Sequence, residues 1–397
     1  MMSLKYAKRM DNIRASEIRE LLKLTQQPHI ISFAGGMPAP ESFPIEEFKK
    51  VNQEVLENNG ALAMQYGPTE GYLPLREVIA KRMKKLQVDA TAENVLVTSG
   101  SQQGLDFAAK IFINPGDIIV CESPTYLGAI NAFKAYEPKF IEVSTDDHGM
   151  DMEELEEVLK SNDNVKFIYV IPDFQNPSGK TWSVERRKKL VELANKYNVA
   201  IIEDNPYGEL RFEGEILPAI KHFDTEGRVA FLGTFSKILS PGLRLGWVVA
   251  DKEFLSKFIL VKQGADLQSS TISQVEVAKF LEIYDLDEHI QKIIELYRHR
   301  RNVMMEAIEK EFPKEVKYTY PEGGLFTWIV LPEYMNAREL AARALEYNVA
   351  YVPGGSFFPN GGNENTARLN YSNMNDEKIR EGIKALGKVI KEALRTN

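Results

Sequence analysis

The sequence is short of several things, and each shortage narrows the reading. Among its 397 residues there is one cysteine, Cys121, which excludes an intramolecular disulfide and a structural zinc site of several thiolates. A reducing, cytoplasmic setting and no metal centre are therefore expected. No apolar run reaches the roughly 20 residues that a membrane-spanning helix needs. The opening stretch MMSLKYAKRMDNIRASEIRELLKL has basic residues but no apolar segment ahead of a small-residue cleavage site, so no export signal is expected. Positive charge is lacking too: the net charge is −8, whereas non-specific nucleic-acid binding rests on dense Lys and Arg contacts to phosphate. Internal repeats, low-complexity tracts and charged tails are absent. What is there is ordinary globular material, 44% hydrophobic and 27% charged, in a chain too long for one hydrophobic core. A small-molecule ligand is the natural expectation.

Residues 1–45 read as an arm: a helix around Ala15 to Leu24, then the Gly- and Pro-rich ISFAGGMPAPESFP, with no strand of its own. Two helical patterns flank the turn-rich QYGPTEGYLPLR. After that the pattern alternates. The apolar runs NVLVT, DIIVC, KFIEV, VKFIYVI, VAIIE and RVAFLG are separated by amphipathic stretches such as Gln102 to Phe112, Met152 to Lys160 and Val184 to Tyr197. That alternation predicts an α/β fold with a mainly parallel sheet and helices on both faces. LRLGWVVA adds an antiparallel strand, because its link from GTFSK is too short for a helical crossover. Helices then dominate to about Glu311. Strands near Val316 to Tyr320, Leu325 to Leu331 and Thr366 to Asn370, with helices near Ala337 to Tyr347 and Asp376 to Leu394, predict a smaller α+β domain. The expected organisation is an arm over 1–45 that joins the small domain, a large domain over 46–290 and a small domain over 291–397.

Ligands of open α/β sheets lie beyond the carboxyl ends of the strands, so the residues after each run carry the chemistry. SGSQQG, ESPTY, PDFQNPSG, DNPYG and TFSK each follow one. Ser101 and Gln102 open a helix after Gly100, where free backbone N–H groups and the helix dipole favour a phosphate. In TFSKILSPGLR, Thr234 and Ser236 supply hydroxyls, and Arg244 supplies a fork of donors for the same dianion. Lys237, desolvated beside such cations, can lose its proton and attack an aldehyde to form a Schiff base. Asp204 emerges at the end of a buried strand, where an unpaired charge is costly, and so calls for a cation such as a protonated ring nitrogen. Tyr207 and Asn176 are placed to hydrogen-bond a ring oxygen, and Tyr126 offers an aromatic face for stacking. Ser123-Pro124 and Asn176-Pro177 are candidates for cis bonds.

Taken in order, QNPSG, DNPY and TFSKILSPGLR resemble the marks of the fold type I PLP-dependent class I/II aminotransferases, and the resemblance covers nearly the whole chain. Thr234 stands where serine is commoner, which keeps the hydroxyl. The resemblance implies a mainly parallel seven-stranded sheet, pyridoxal 5'-phosphate on Lys237, and a ping-pong exchange of an amino group between an L-amino acid and a 2-oxo acid. It makes Lys237 the proton shuttle and Arg368, in ENTARLNYS, the residue that binds the substrate α-carboxylate. It also implies a homodimer in which Tyr66 reaches the neighbouring subunit's phosphate. RASEIRELLKLTQ, SFAGGMPAPE and VPGGSFF are similar to stretches of the 2-aminoadipate aminotransferases. By that likeness Ser16 and Arg19 meet an acidic side chain, Gly36 lines the pocket, and 2-aminoadipate or glutamate is the expected substrate, with aromatic and branched-chain amino acids also in view.

The same fold serves C-S lyases and related eliminases, since the cofactor labilises several bonds at the α carbon. Release of ammonia, as opposed to consumption of a 2-oxo acid, marks that alternative. A ligand-sensing regulator is expected to carry a winged-helix module ahead of the fold, whereas here the enzyme-like pattern begins almost at the first residue. A catalytically dead relative is expected to lack Lys237, Asp204 or Arg368, and all three are present.

Overall fold

The computed structural model describes residues 4–11, 13, 27 and 29–396. Its main sheet runs, edge to edge, Val95–Thr98, Gly246–Val249, Val229–Thr234, Ala200–Asp204, Val165–Val170, Ile118–Ser123 and Lys139–Asp146. These are the seven strands expected, and a two-residue strand, Gly149–Met150, folds back onto the outer edge as an eighth. Five neighbours from Val229–Thr234 to Lys139–Asp146 are parallel. Gly246–Val249 is antiparallel to both of its neighbours, as its short link requires.

The inner strands are mainly apolar runs because both faces of the sheet are covered there, whereas Lys139–Asp146, near the edge, buries only Val143. Alternate residues of Val165–Val170 go to opposite sides. Phe167 and Tyr169 pack with Leu105, Phe107, Leu255 and Phe258 from the helices Ser101–Phe112 and Lys252–Ala265. Ile168 and Val170 pack with Leu155, Leu159, Leu190 and Leu193 from Met152–Ser161 and Val184–Tyr197. Local caps agree with this arrangement: Asp151 accepts from the N–H groups of Glu153 and Glu154, and Ser183 accepts from that of Arg186.

A second, four-stranded antiparallel sheet orders Lys317–Tyr318, Phe326–Val330, Thr366–Asn370 and Val352–Pro353. It is accompanied by the helices Leu286–Glu311, Ala337–Glu346 and Asp376–Thr396. The boundary expected after residue 290 falls inside the unbroken helix Leu286–Glu311, whose start is set by Asp285 capping the N–H groups of Asp287 and Glu288. The arm also departs from expectation, because it does contain a strand: Ile31–Ser32 pairs in parallel with Val349–Ala350. Two residues are too few to show a period in sequence, and their partner lies more than 300 residues away. The stitching continues where Phe33 O accepts from Asn370 N–H at 2.9 Å and Met37 O accepts from the Ser372 hydroxyl at 2.8 Å. This carries the arm over the carboxyl edge of the main sheet.

No helix among the described residues is long and apolar enough to cross a membrane.

Candidate active site

At that edge lies a cavity of about 420 Å³ whose walls hold Ser101, Gln102, Tyr126, Asn176, Asp204, Tyr207, Thr234, Ser236, Lys237, Arg244, Arg368 and, from the arm, Gly36. Twelve residues from seven separate chain segments thus converge. Two wider clefts, of about 980 and 950 Å³, contain none of them. Chemistry distinguishes the smaller cavity.

Lys237 follows the strand Val229–Thr234 through a turn in which Thr234 Oγ1 accepts from the Ser236 N–H at 3.1 Å. Its ammonium is partly buried and donates to Gly36 O at 2.7 Å. Burial, with the charges of Arg368 and Arg244 behind it, lowers the amine's pKa to about 8. An amine in that range is available as a nucleophile and as a base near neutral pH.

Asp204 ends the strand Ala200–Asp204 and is 2% exposed. Its Oδ2 accepts from the Tyr169 hydroxyl at 2.9 Å, while Oδ1 is buried without any partner. Burial pushes the carboxyl up to about 7. A buried carboxylate with an orphaned oxygen is stable only beside a cation or a further donor. Tyr169 was not among the residues expected here. The signal for it was a tyrosine hydroxyl within the buried strand run VKFIYVI, which has to find a polar partner.

The anion end is built by backbone as much as by side chain. Gly100 is the N-cap of the helix Ser101–Phe112 and provides no side-chain cap. It has φ +81°, and a Cβ there would lie 2.5 Å from Arg244 Nη2. Glycine is therefore required for the guanidinium and the helix N-terminus to meet. Arg244 itself takes a left-handed φ of +52° after the turn Pro241–Leu243, which turns its side chain back over the helix start. The Gln102 amide donates to Gly128 O at 2.8 Å.

Arg368 lies on Thr366–Asn370 and is 2% exposed. Nη1 donates to Asn176 Oδ1 at 2.8 Å, Nη2 donates to Ala34 O at 2.6 Å, and Nε is buried with no partner. The guanidinium is 4.2 Å from the Phe326 ring centroid and 5.1 Å from that of Phe357. Burial lowers its pKa to about 10. The two phenylalanines were not anticipated, since nothing local in GGLFTW or GGSFFP marks them as a seat for an arginine. Tyr207 is buried, packs edge-on against Phe326 at 5.9 Å, and is held protonated by burial. Tyr126 is also raised in pKa, by burial and then by Asp204. Ser123-Pro124 and Asn176-Pro177 are both cis.

Tyr66 is not in the cavity: it is 79% exposed on the loop after the helix Ile45–Ala63. Ser16 and Arg19 lie outside the described residues.

The aminotransferase class I and II family model matches residues 28–386. The aromatic-amino-acid aminotransferase 1 of Thermococcus litoralis is 50% identical over 388 residues, which cover 96% of this chain and 93% of that protein. The 2-aminoadipate transaminase of Thermus thermophilus is 44% identical, covering 98% of this chain and 97% of its own. In three dimensions, the Pyrococcus horikoshii kynurenine aminotransferase, crystallised with PMP, kynurenine and its product, superposes with a TM-score of 0.94 at 45% identity, covering 98% of this chain and 97% of that one.

Proposed function

This chain belongs to the class I and II aminotransferases, and from that membership we propose that it exchanges an amino group between 2-aminoadipate or glutamate and 2-oxo acids, with aromatic and branched-chain amino acids as further donors. PLP-dependent amino transfer is the family's reaction class, and pyridoxal 5'-phosphate is the cofactor.

The residues present fit that cofactor. The orphaned Asp204 Oδ1 suits a protonated ring nitrogen, and the Gly100 turn with Arg244 suits a phosphate. When bound, the cofactor supplies a cationic ring that draws electron density from the substrate's α carbon. The chain's own groups do the rest. Asp204 holds the proton on the ring nitrogen, since burial disfavours its charge in the absence of a cation. Tyr207 and Asn176 would hold the ring oxygen by hydrogen bonds, and Tyr126 would offer its aromatic face to the ring. Ser101, Gln102, Thr234, Ser236 and Arg244 would anchor the phosphate. The Lys237 amine, with a pKa near 8, would take the proton from the substrate's α carbon and return it at C4' of the cofactor. Arg368, rigidly seated on two phenyl rings with Nε free, receives the α-carboxylate. Gly36 borders the substrate's path from the arm, and Ser16 and Arg19 are the groups proposed for an acidic side chain.

A homodimer completes the site in this reading, with Tyr66 reaching the neighbouring subunit's phosphate. In support, Leu62, Met64, Tyr66, Leu73 and Leu267 are large apolar side chains left in water, as at a partner surface.

The observation that carries the proposal is the convergence of the Lys237 amine, the unpaired Asp204 oxygen and the guanidinium groups of Arg244 and Arg368 on one cavity. A panel of amino donors against 2-oxoglutarate tests it. 2-Aminoadipate should rank with the best donors, and activity confined to aromatic donors would reject the acidic assignment.

A further inference from the structure

Behind the anion cradle lies a closed polar network that none of the roles above uses. Lys262, on the helix Lys252–Ala265, has a side chain with no exposed surface. An ammonium has three protons, and each finds an acceptor. Nζ donates to Gln103 Oε1 at 2.9 Å, to Asp266 Oδ1 at 2.9 Å and to Ser269 Oγ at 3.0 Å. The acceptors then grip one residue, Ser99, which immediately precedes Gly100. The Ser99 N–H donates to Gln103 Oε1 at 2.9 Å, its hydroxyl donates to Asp266 Oδ2 at 3.0 Å, and Ser269 Oγ lies 3.2 Å from the same hydroxyl. Gln103 Nε2 closes the ring on Asp266 Oδ2 at 2.7 Å.

A fully buried ammonium is costly unless every proton is satisfied and its charge is paired. An apolar residue of similar volume would be at least as stable in many such positions, so the network is better explained by what it orients. The turn Ser99–Gly100–Ser101 has to hold a positive φ at Gly100 while leaving room for Arg244 Nη2. The segment that anchors the turn also anchors the Tyr66 loop: Gln268 Oε1 accepts from Gly67 N–H, and Gln274 Oε1 accepts from Tyr72 N–H at 2.8 Å.

We propose that Lys262 is a positioning residue for phosphate binding: through Gln103, Asp266 and Ser269 it sets the turn that opens the cradle, without touching the phosphate. The inference rests on the proposed role of Gly100, Ser101 and Arg244 as that cradle.

The test compares two ligands of the full-length, cofactor-stripped protein, pyridoxal 5'-phosphate and pyridoxal, which differ only in the phosphate. Lys262→Met keeps length and volume and removes the charge, and Asp266, at 27% side-chain exposure, still reaches water. This variant should bind pyridoxal 5'-phosphate about ten-fold more weakly, the effect of losing roughly one charge-assisted bond's worth of order, and pyridoxal within about two-fold of the parent. Equal weakening for both ligands, or none for either, overturns the proposal. If Lys262→Met does not fold, Ser99→Ala, which deletes one hydroxyl, decides: a phosphate-selective loss supports the proposal and its absence overturns it. Arg244→Ala separates the two layers. Phosphate-selective loss in Arg244→Ala but not in Lys262→Met leaves the cradle standing and rejects the positioning role, whereas loss in neither rejects both.

Discussion

Asp204→Asn isolates the group on which the cofactor's chemistry depends, and the structure gives its effect a sign and a size. The folded-state carboxyl is pushed from an ordinary 3.8 up to about 7 by burial. A group raised on folding contributes its full stability only below 3.8, and loses it as the pH climbs through the folded value. The difference corresponds to about 4 kcal/mol forfeited by the cofactor-free protein above pH 7. Asparagine is neutral, close in shape, and still offers an oxygen to the Tyr169 hydroxyl. The cofactor-free variant should therefore be more stable than the parent at pH 8 by up to about 4 kcal/mol, narrowing to below about 2 kcal/mol at pH 5. With unfolding entropy of about 2 cal/mol/K per residue, the gain at pH 8 is roughly 5 °C in Tm. Glu122 and Glu203 are raised to about 7 in the same direction, but they are common to both proteins and cancel. Saturating pyridoxal 5'-phosphate should narrow that gap, because only the parent offers the ring nitrogen a charged partner. Loss of that bond is worth about 1.5–3 kcal/mol, or about 10- to 150-fold in affinity. Calorimetric melting with and without cofactor at the two pH values reads all of this. A cofactor-free variant melting below its parent at pH 8, or equal cofactor stabilisation of the two proteins, would refute the reasoning.

Other residues give shorter tests. Lys237→Ala should leave no cofactor covalently fixed after borohydride reduction, and retention at another lysine would reassign the amine. Arg368→Lys replaces a planar fork with a point charge and should raise KM for both amino acid and 2-oxo acid about 100-fold; unchanged KM values would remove it from the substrate site. Arg19→Ala should weaken 2-aminoadipate and glutamate about ten-fold or more while sparing leucine, and equal losses for all three would reject its role in specificity.

Much of this was legible in the sequence, for identifiable reasons. Strands buried on both faces read as unbroken apolar runs, so VKFIYVI and VAIIE could be located without a partner being known. Because ligands gather at one end of such a sheet, the residues after each run could be assembled in advance into the set Asn176, Asp204, Tyr207 and Lys237. What escaped was non-local or too short to have a pattern. The strand Ile31–Ser32 exists only by virtue of Val349–Ala350, and with it comes the Gly36 carbonyl that holds the Lys237 amine. The Phe326 and Phe357 seat under Arg368 joins side chains from the strand Phe326–Val330 and the distant helical turn Gly354–Phe357. Lys262 reads in sequence as one more helix lysine, and only packing reveals that its side chain is wholly enclosed.

The most direct measurement is a single half-reaction: cofactor-loaded protein mixed with excess 2-aminoadipate and no 2-oxo acid, followed by absorbance and by product analysis. The structure predicts one 2-oxo acid released per active site, no ammonia, and then arrest until 2-oxoglutarate is added. Continued turnover with ammonia accumulating would contradict amino-group transfer as the work of this cavity.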